Sequence, residues 1–356
     1  MSIAIAAAGT GGHVFPALAV AEALEKLGTA RNEIVFFGGD RIEARAVPEA
    51  GYELVSVEVR GLAGTISLHN LKVLAGVMRS ARRIRHEIAA RGVTAMLAMG
   101  GYVTGPAALA ARWARVPLFL HEQNAVPGRA NRLAARLADK VFVAFPATAR
   151  AWPDAELVGN PLRAALLDSP PSADAARRRY ALNAARPVVG ILGGSQGADA
   201  LNRAAQNLME GHPAYQILHL AGSQQHARWS ELSAKVTGWV VLPFEHDMRF
   251  FYAATDLVIA RAGALTVSEL AATGTPAILV PYPHAAGHQD ANAAVLAEAG
   301  GSVVVAEPEM PDRLAAEIMR ALEPGELTRR RAATSAVGRP DAAERVAAVL
   351  REAAGV

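Results

Sequence analysis

The chain alternates short apolar segments with longer stretches in which apolar residues recur at helical spacing. In the first half, the predicted strands are Ile3–Ala8, Ile34–Phe37, Glu53–Val59, Met96–Met99, Val116–Leu120 and Lys140–Ala144. In the second half, they are Val188–Leu192, Tyr215–Leu220, Trp239–Leu242, Leu257–Ala260, Ala277–Val280 and Ser302–Val305. Strands that alternate with helices form parallel, doubly wound sheets. Both halves are therefore predicted to be α/β.

The length of 356 residues exceeds what one ordinary core accommodates, so we expect two domains that face a cleft. Prolines accumulate after residue 145, which predicts little regular structure there and a boundary near Gly159–Pro161. The expected domains are residues 1–160 and 161–339. The last predicted helix, Ala342–Ala353, is long enough to return to the first domain, which therefore includes the segment from about residue 340 to residue 356.

Glycine-rich loops follow the first predicted strand of each half. They are Gly9–His13 and Gly193–Gly197, and Gly100–Pro106 follows a further strand. A glycine loop that opens a helix favours phosphate, because backbone N–H groups and the helix dipole point at the oxygens. The segment from Asp256 to Ala293 repeats this arrangement, with a helix that opens near Ala264. The alternative for any single loop is a tight strand-to-helix turn.

The composition limits which classes of protein and which kinds of site this chain can represent. Apolar residues make up 52% of the chain, yet no apolar run is long enough to span a membrane. The start lacks the pattern of a signal peptide, which predicts a cytoplasmic protein. With no cysteine, disulfides, thiol catalysis and thiolate metal sites are excluded. The formal charge of +3 is small, although the pI of 9.4 allows a local basic face.

Three histidine positions are candidates for chemistry. His13 lies at the mouth of the first loop, and histidine is the commonest general base near neutral pH, so we expect it to act as one. A buried structural histidine is the alternative. His284 and His288 have the spacing of two ligands on one helical face, but no acid flanks them as in a zinc hydrolase, so no metal site is expected.

Two further polar runs can be explained by a structural role alone. In His121–Asn124, Asn124 either binds a ligand or caps a turn before a helix predicted near Gly128–Ala138. The run Arg177–Arg179 is interpreted as a solvated helix face.

The segment Leu62–Val77 carries many apolar residues and is surrounded by basic ones. The basic residues are Arg60, Lys72, Arg79, Arg82, Arg83 and Arg85. Such a surface can rest on an anionic membrane. Its periodicity alone favours a helix whose apolar side faces the core and whose basic side faces solvent.

The first loop only partly meets the dinucleotide-binding fingerprint. Gly9 and Gly11 fit, but Val14 occupies the third glycine position, and Asp40 is the only acid placed to hold a ribose. A nicotinamide oxidoreductase is therefore an alternative of lower rank. A P-loop NTPase is not expected, because no lysine–threonine pair follows a loop.

Several motifs, taken together and in order, resemble the MurG family across both halves. They are GTGGHVFPALAVAEAL, GGYVTGP, HEQN, GNPLR, GGSQGA, ALTVSE and HQDANA. The resemblance implies the GT-B fold, with two Rossmann-like domains facing a cleft. It also implies an inverting transfer of N-acetylglucosamine (GlcNAc) from UDP-GlcNAc to the C4 hydroxyl of the muramyl sugar in lipid I, giving lipid II for peptidoglycan.

The resemblance also implies site residues. Those expected to contact UDP-GlcNAc are Thr10, Gly11, Gly12, Asn124, Arg163, Ser195, Glu245, Ala264, Leu265, Thr266, Val267, Ser268, Glu269 and Gln289. Glu269 is assigned to the ribose hydroxyls, and the backbone near Glu245 to uracil. The acceptor diphosphate is assigned to Gly100, Gly101, Tyr102 and Thr104. His13 is the expected general base, and Glu122 is the next candidate.

Two departures from the family pattern are present: Ala8 replaces a frequent glycine, and Glu245 stands where an apolar residue is common. No cofactor, metal or nucleic acid is expected. We expect a peripheral protein on the cytoplasmic face of the membrane, with lipid I and anionic lipid as partners. A UDP-GlcNAc epimerase, a nicotinamide oxidoreductase and a non-catalytic nucleotide-sugar binding module remain as alternatives.

Overall fold

The computed structural model describes most of the chain. The described ranges are residues 1–58, 68–152, 154–194, 197–211, 213–285 and 287–355. The chain divides into two compact units, Met1–Ala164 with Pro340–Val356, and Ala165–Arg339. Each unit is an α/β domain built on a parallel sheet, which confirms the predicted fold class.

The first unit contains a sheet of seven parallel strands in the order β3-β2-β1-β4-β5-β6-β7. The strands are β1 Ser2–Ala6, β2 Ile34–Gly38, β3 Glu53–Ser56, β4 Val93–Ala98, β5 Leu118–Glu122, β6 Lys140–Val143 and β7 Glu156–Leu157. The helices are α1 Gly11–Lys26, α2 Glu43–Glu49, α3 Leu68–Arg91, α4 Thr104–Ala114, α5 Arg129–Ala134, α6 Pro146–Ala151, α7 Ala164–Leu167 at the junction between the units, and α16 Ala342–Ala354. A 3₁₀ turn, Arg31–Glu33, precedes β2.

The second unit contains a sheet of six parallel strands in the order β10-β9-β8-β11-β12-β13. The strands are β8 Val188–Leu192, β9 Gln216–Leu220, β10 Trp239–Leu242, β11 Leu257–Ala260, β12 Ala277–Leu279 and β13 Ser302–Val304. The helices are α8 Ala173–Arg179, α9 Asp199–Glu210, α10 His226–Ser233, α11 Met248–Ala254, α12 Ala264–Thr273, α13 His288–Glu298, α14 Met310–Ala321 and α15 Pro324–Ala336, with a 3₁₀ turn at Glu307–Glu309.

Helices cover both faces of the first sheet. On one face, residues of α1 and α16 such as Leu24 and Leu350 pack on Ile3 and Phe36. On the other face, Ile84 of α3 packs with residues of α4 and α5 on the opposite side of the same strands. Because both faces are covered, the strands are continuous apolar runs, as expected for a parallel sheet.

Most strands lie where the sequence predicts them, and the differences concern the ends of elements. The sequence pattern predicts a helix from about Phe15 to Leu27 after the first glycine loop. The helix α1 begins earlier, at Gly11, so Gly11 to His13 form its first turn and Pro16 lies inside it. β5 continues to Glu122, so His121 and Glu122 belong to the strand. The prediction of little regular structure after β6 was wrong, since β7 and the helices α6 to α8 lie there.

Candidate active site

The loops that follow β1 and β4 lie side by side in the first unit, because these strands are neighbours from which the chain continues to opposite sides of the sheet. Ligands of doubly wound folds bind at the carboxyl ends of such strands. The contact is close: a Cβ added to Gly101 would lie 2.1 Å from the carbonyl oxygen of Ala8. A glycine with φ of +81° thus allows the two loops to meet.

His13 lies between these loops, in the first turn of α1. Its Nδ1 is 3.2 Å from the Thr10 hydroxyl, and a Cβ added to Gly100 would lie 2.8 Å from its Nε2. Burial lowers the pKa of His13, while Glu122, a hydrogen bond to the backbone of Ala8, and Glu43 act in the opposite direction. A neutral imidazole held beside two carboxylates can accept a proton and be stabilised as the imidazolium.

Glu122 is buried at the end of β5 and accepts several hydrogen bonds. Its Oε1 accepts from the backbone N–H and the side-chain amide of Asn124, at 2.9 and 3.3 Å. Its Oε2 accepts from the backbone N–H of Gly128 and from Asn131, at 3.0 and 2.8 Å. These bonds fix the loop that carries Asn124, so the geometry gives Glu122 the contacts of a buried structural anion.

The other expected contacts of this unit differ in accessibility. Thr10 and Tyr102 are exposed, and the Arg41 guanidinium lies over the Tyr102 ring at 5.7 Å. Thr104 is fully buried in the first turn of α4, so its hydroxyl does not face solvent. Arg163 is half-exposed and forms an ion pair with Glu22 of α1 at 3.0 Å.

In the second unit, α12 begins shortly after β11 ends at Ala260. The residue before the helix is Gly263, which has no side chain to cap it. Gln289 joins this start to the loop after β12, because its Oε1 accepts from the N–H groups of Ala262 and Tyr282, at 3.1 and 2.9 Å. Arg261 donates to the carbonyls of Val280 and Pro281 and pairs with Glu307. The Gln289 and Arg261 side chains therefore hold the backbone around the start of α12, and a helix start of this kind is suited to bind an anion.

The residues of the ALTVSE motif occupy the first turns of α12. Val267 is fully buried in the core, so a ligand contact through its side chain is not available. The Ser268 hydroxyl donates to the Ala264 carbonyl, at 2.9 Å. Ala264, Leu265 and Thr266 are partly exposed. Ser195 lies outside the described residues.

Glu269 is partly exposed and accepts a hydrogen bond from Tyr252 of α11, with 2.7 Å between Tyr252 Oη and Glu269 Oε2. Burial raises the pKa of Glu269 to about 7, although the Tyr252 hydroxyl opposes this shift. The Tyr252 hydroxyl thus orients the carboxylate of Glu269. Because the pKa of this carboxylate is about 7, its charge near neutral pH depends on small changes in its surroundings.

Glu245 is buried, and its carboxylate is bound within the protein. It accepts from the Tyr180 hydroxyl at 2.6 Å, from Arg179 at 3.1 Å and from the backbone N–H of Asp247 at 2.8 Å. The side chain therefore stabilises the loop to which it belongs. Only the nearby backbone is left to contact a nucleotide base such as uracil.

The interpretation of Arg177–Arg179 as a solvated helix face was wrong for Arg177, whereas Arg178 and Arg179 are exposed. Arg177 is largely buried and pairs with Asp256 at 2.6 Å. Arg179 pairs with Glu245 and lies over the Phe250 ring at 4.3 Å. Arg177 and Arg179 therefore link helix α8 both to helix α11 and to the loop that carries Glu245.

His284 and His288 do not share a helical face as their spacing allowed, because α13 begins at His288 and His284 precedes it. Among the described residues, no group of three or more histidine or acidic side chains could hold a metal ion.

Sequence reasoning missed the hydrogen-bond partner of one candidate acid, Glu269, and missed one further acid, Glu43. No sequence pattern indicates that Tyr252 contacts Glu269, because the two residues are 17 positions apart and lie on different helices. Glu43 was overlooked in favour of Asp40, which is exposed, whereas Glu43 is buried and bonds to Gly9 of the first loop. A useful signal was available: an acid shortly after the second strand of a doubly wound unit lies near the first loop.

Both halves of the chain match models of one protein family. The family model described as the glycosyltransferase family 28 N-terminal domain matches residues 3–143, and that of the C-terminal domain matches residues 188–346. Two relatives, from Halorhodospira halophila and Methylococcus capsulatus, are each 41% identical. The match covers 99% of this chain in both cases, and 98% and 99% of the respective relatives. Both relatives are named UDP-N-acetylglucosamine--N-acetylmuramyl-(pentapeptide) pyrophosphoryl-undecaprenol N-acetylglucosamine transferase.

Solved structures give the same result. MurG of Acinetobacter baumannii has a TM-score of 0.80 at 31% identity, with 99% of each chain covered. A UDP-GlcNAc 2-epimerase from Neisseria meningitidis has a TM-score of 0.67 at 13% identity, covering 99% of this chain and 100% of its own, and shows the fold alone. The chain belongs to the MurG family of N-acetylglucosamine transferases, within glycosyltransferase family 28.

Proposed function

We propose that this protein transfers GlcNAc from UDP-GlcNAc to the C4 hydroxyl of the muramyl sugar of lipid I, forming lipid II. The observation that carries the proposal is the position of His13, half-buried between two glycine loops and within the field of two buried carboxylates. The alternatives of an epimerase or an oxidoreductase gain no support from a specific feature of the site.

The donor is assigned to the second unit. The start of α12 offers a helix dipole to the diphosphate, and the oriented carboxylate of Glu269 can accept from both ribose hydroxyls. The expected contacts of Gln289 and of the backbone beside Glu245 complete the donor site. The acceptor diphosphate is assigned to the loops of the first unit, at Gly100 to Tyr102 and the first turn of α1.

The reaction follows as a single displacement. His13 takes the proton of the C4 hydroxyl while that oxygen forms a bond to the anomeric carbon, on the side opposite UDP. The bond from this carbon to the diphosphate oxygen breaks, and its electron pair leaves with UDP. Fixed backbone dipoles at the helix start stabilise the charge of the leaving diphosphate. The α-linked donor thus gives a β-linked product.

Binding to the membrane surface is part of the proposal, because the acceptor carries a lipid. Among the described residues, no helix is both long and apolar enough to cross a bilayer. The helices α3, α4 and α5 cover one face of the first sheet and carry many exposed arginines. They are Arg79, Arg82, Arg83, Arg85, Arg112, Arg129 and Arg132. We assign this face to the anionic cytoplasmic surface of the membrane.

The test uses radiolabelled UDP-GlcNAc and a lipid I analogue with a short chain. We expect a labelled, β-linked disaccharide lipid in the presence of the protein. Release of free GlcNAc or of its epimer, without the disaccharide, would contradict the proposed transfer. A label that stays on the protein after denaturation would contradict the single displacement.

A further inference from the structure

Glu43 is a buried acid whose carboxylate joins two loops of the first unit. It is the first residue of α2 and is 1% exposed. Its Oε2 accepts from the backbone N–H of Gly9, at 3.0 Å, and its Oε1 accepts from the backbone N–H of Gly39, at 2.9 Å. The loops after β1 and β2 are therefore tied together by one side chain.

The surroundings of Glu43 are built to accommodate it. A Cβ added to Gly38 would lie 2.9 Å from Glu43 Cγ, so a larger residue there would displace the side chain. The neighbouring residue Ile42 lies against the start of α1, 3.8 Å from the position of a Cβ on Gly11. Arg41 contacts Tyr102 of the other glycine loop. The segment from Arg41 to Glu43 thus contacts both loops that surround His13.

Glu43 acts on His13 by two routes. The first is mechanical: Gly9, which Glu43 holds, directly precedes Thr10, and the Thr10 hydroxyl contacts His13 Nδ1 at 3.2 Å. The second is electrostatic, because the charge of Glu43 raises the pKa of His13. The other charged group that acts on His13 is Glu122 of β5, whose effect is larger.

We infer that Glu43 is a positioning residue for the transfer: its carboxylate holds the first glycine loop in the shape that presents His13, and its fixed charge supports the imidazolium formed when His13 takes the acceptor proton. This inference rests on the proposed role of His13 as the base.

The position of Glu43 also has a consequence for specificity. The N–H of Gly9 is already bonded to a carboxylate, and a second anion at that point would meet a like charge at short range. The acceptor diphosphate is therefore directed toward Gly100, Gly101 and the N–H groups beyond Gly9. The same charge disfavours a dinucleotide pyrophosphate lying against the first loop.

The experiment replaces Glu43 by glutamine, which has nearly the same shape but no charge and accepts through only one of its two terminal atoms. The pKa of His13 is measured by NMR in protein labelled at histidine, and its signal is assigned by its loss in His13→Asn. In parallel, kcat is measured against pH with the short-chain acceptor. The matched control is Glu49→Gln, on the exposed side of the same helix.

In Glu43→Gln, we expect the pKa of His13 to fall and the acid limb of the kcat profile to move to lower pH by the same amount. The maximal kcat should fall about tenfold, since a weaker base transfers the proton less efficiently. Glu49→Gln should change neither quantity. A pKa of His13 that is unchanged in folded Glu43→Gln would overturn the inference. If the pKa falls while the kcat profile stays in place, the error lies in the proposed base role of His13.

A second variant separates charge from geometry and serves if Glu43→Gln does not fold. Glu43→Asp keeps the charge, but its shorter side chain cannot reach both Gly9 and Gly39. We expect a pKa of His13 close to the wild-type value together with a reduced kcat and an unchanged KM for UDP-GlcNAc. A wild-type kcat in folded Glu43→Asp would refute the positioning role.

Discussion

Single residues in this protein take their chemistry from their surroundings more than from their type. Glu122, Glu245 and Glu43 are all buried glutamates, and in each the carboxylate accepts hydrogen bonds from backbone N–H groups. Glu269 differs, because among the described residues its carboxylate accepts a hydrogen bond only from the Tyr252 hydroxyl, and burial raises its pKa. A carboxylate with few internal donors is the one suited to accept hydrogen bonds from a ligand.

The raised pKa of Glu269 predicts that UDP binding depends on pH. The ionised carboxylate accepts from both ribose hydroxyls, whereas the protonated form has lost part of that capacity. Because burial raises this pKa to about 7, affinity for UDP should be full at higher pH and should weaken as pH falls through this value. Calorimetric titration with UDP from about pH 8 to about pH 6 measures this dependence.

Glu269→Gln is the control for that titration, since it cannot ionise, and its UDP affinity should be low and nearly independent of pH. Removing the side chain in Glu269→Ala should raise the KM for UDP-GlcNAc by about ten- to a hundredfold. A wild-type affinity that stays constant across the range would exclude Glu269 from the donor site.

His13→Ala should lower kcat by about a hundred- to ten-thousandfold, the usual cost of losing a general base. The KM for UDP-GlcNAc should change little, because the proposed role of His13 is to accept the acceptor proton and not to bind the donor. Steady-state kinetics with the short-chain acceptor give both values, with His86→Ala on the exposed side of α3 as the control. A nearly normal kcat would exclude His13 as the base, and Glu122→Gln would then test the remaining candidate from the sequence.

At the scale of elements, the sequence predicted the strands well and the helix starts less well. The strands β8 and β11 lie where apolar runs place them, because both are buried along their whole length and strands covered on both faces must be apolar throughout. The start of α1 was missed, since Gly11 and Gly12 have poor helix propensity and tertiary contacts override it. The bond from Glu43 to Gly9 joins residues 34 positions apart, which no local pattern reveals.

The close contact of the loops after β1 and β4 predicts a large effect for Gly101→Ala. The added Cβ would meet the Ala8 carbonyl oxygen at 2.1 Å, and the residue would keep a φ of +81°. We expect the free energy of unfolding to fall by about 2 kcal/mol or more. Chemical denaturation measures it.

Gly76→Ala is the matched control for this prediction. Gly76 lies inside α3, and an added Cβ there would meet no atom within 4 Å. Alanine in a helix is more stable than glycine by about 0.5–1 kcal/mol, so this variant should gain stability. Equal effects of the two substitutions would mean that the loops do not meet as described.

At the scale of the whole molecule, the small net charge conceals an uneven distribution. The helices α4 and α5 contain arginines and no acidic residue, and on α3 the one acid, Glu87, is paired with Arg91. On the opposite face of the first sheet, α1, α2 and α16 carry acids and bases together.

The interpretation of α3 as a core helix with a basic, solvated side agrees with the described part of this helix, since Ile84 and Ile88 are buried while Arg82 and Arg83 are exposed. Leu62 and Ile66, which sequence reasoning included in the same surface, lie outside the described residues.

A solvated basic side and a membrane-binding surface are compatible, and a charge reversal distinguishes them. Changing Arg79, Arg82 and Arg83 to glutamate should weaken binding to anionic vesicles by about a hundredfold or more, because each basic residue near such a surface contributes about 1 kcal/mol. The matched control reverses Arg203, Arg320 and Arg329, which are exposed residues of the second unit, and so changes the net charge equally. Co-sedimentation with vesicles at physiological salt measures binding, and the short-chain acceptor should be used at the wild-type rate by both variants. Equal binding of the two variants would show that net charge alone governs it, and the face formed by α3, α4 and α5 would then have no special part in reaching a lipid-linked acceptor.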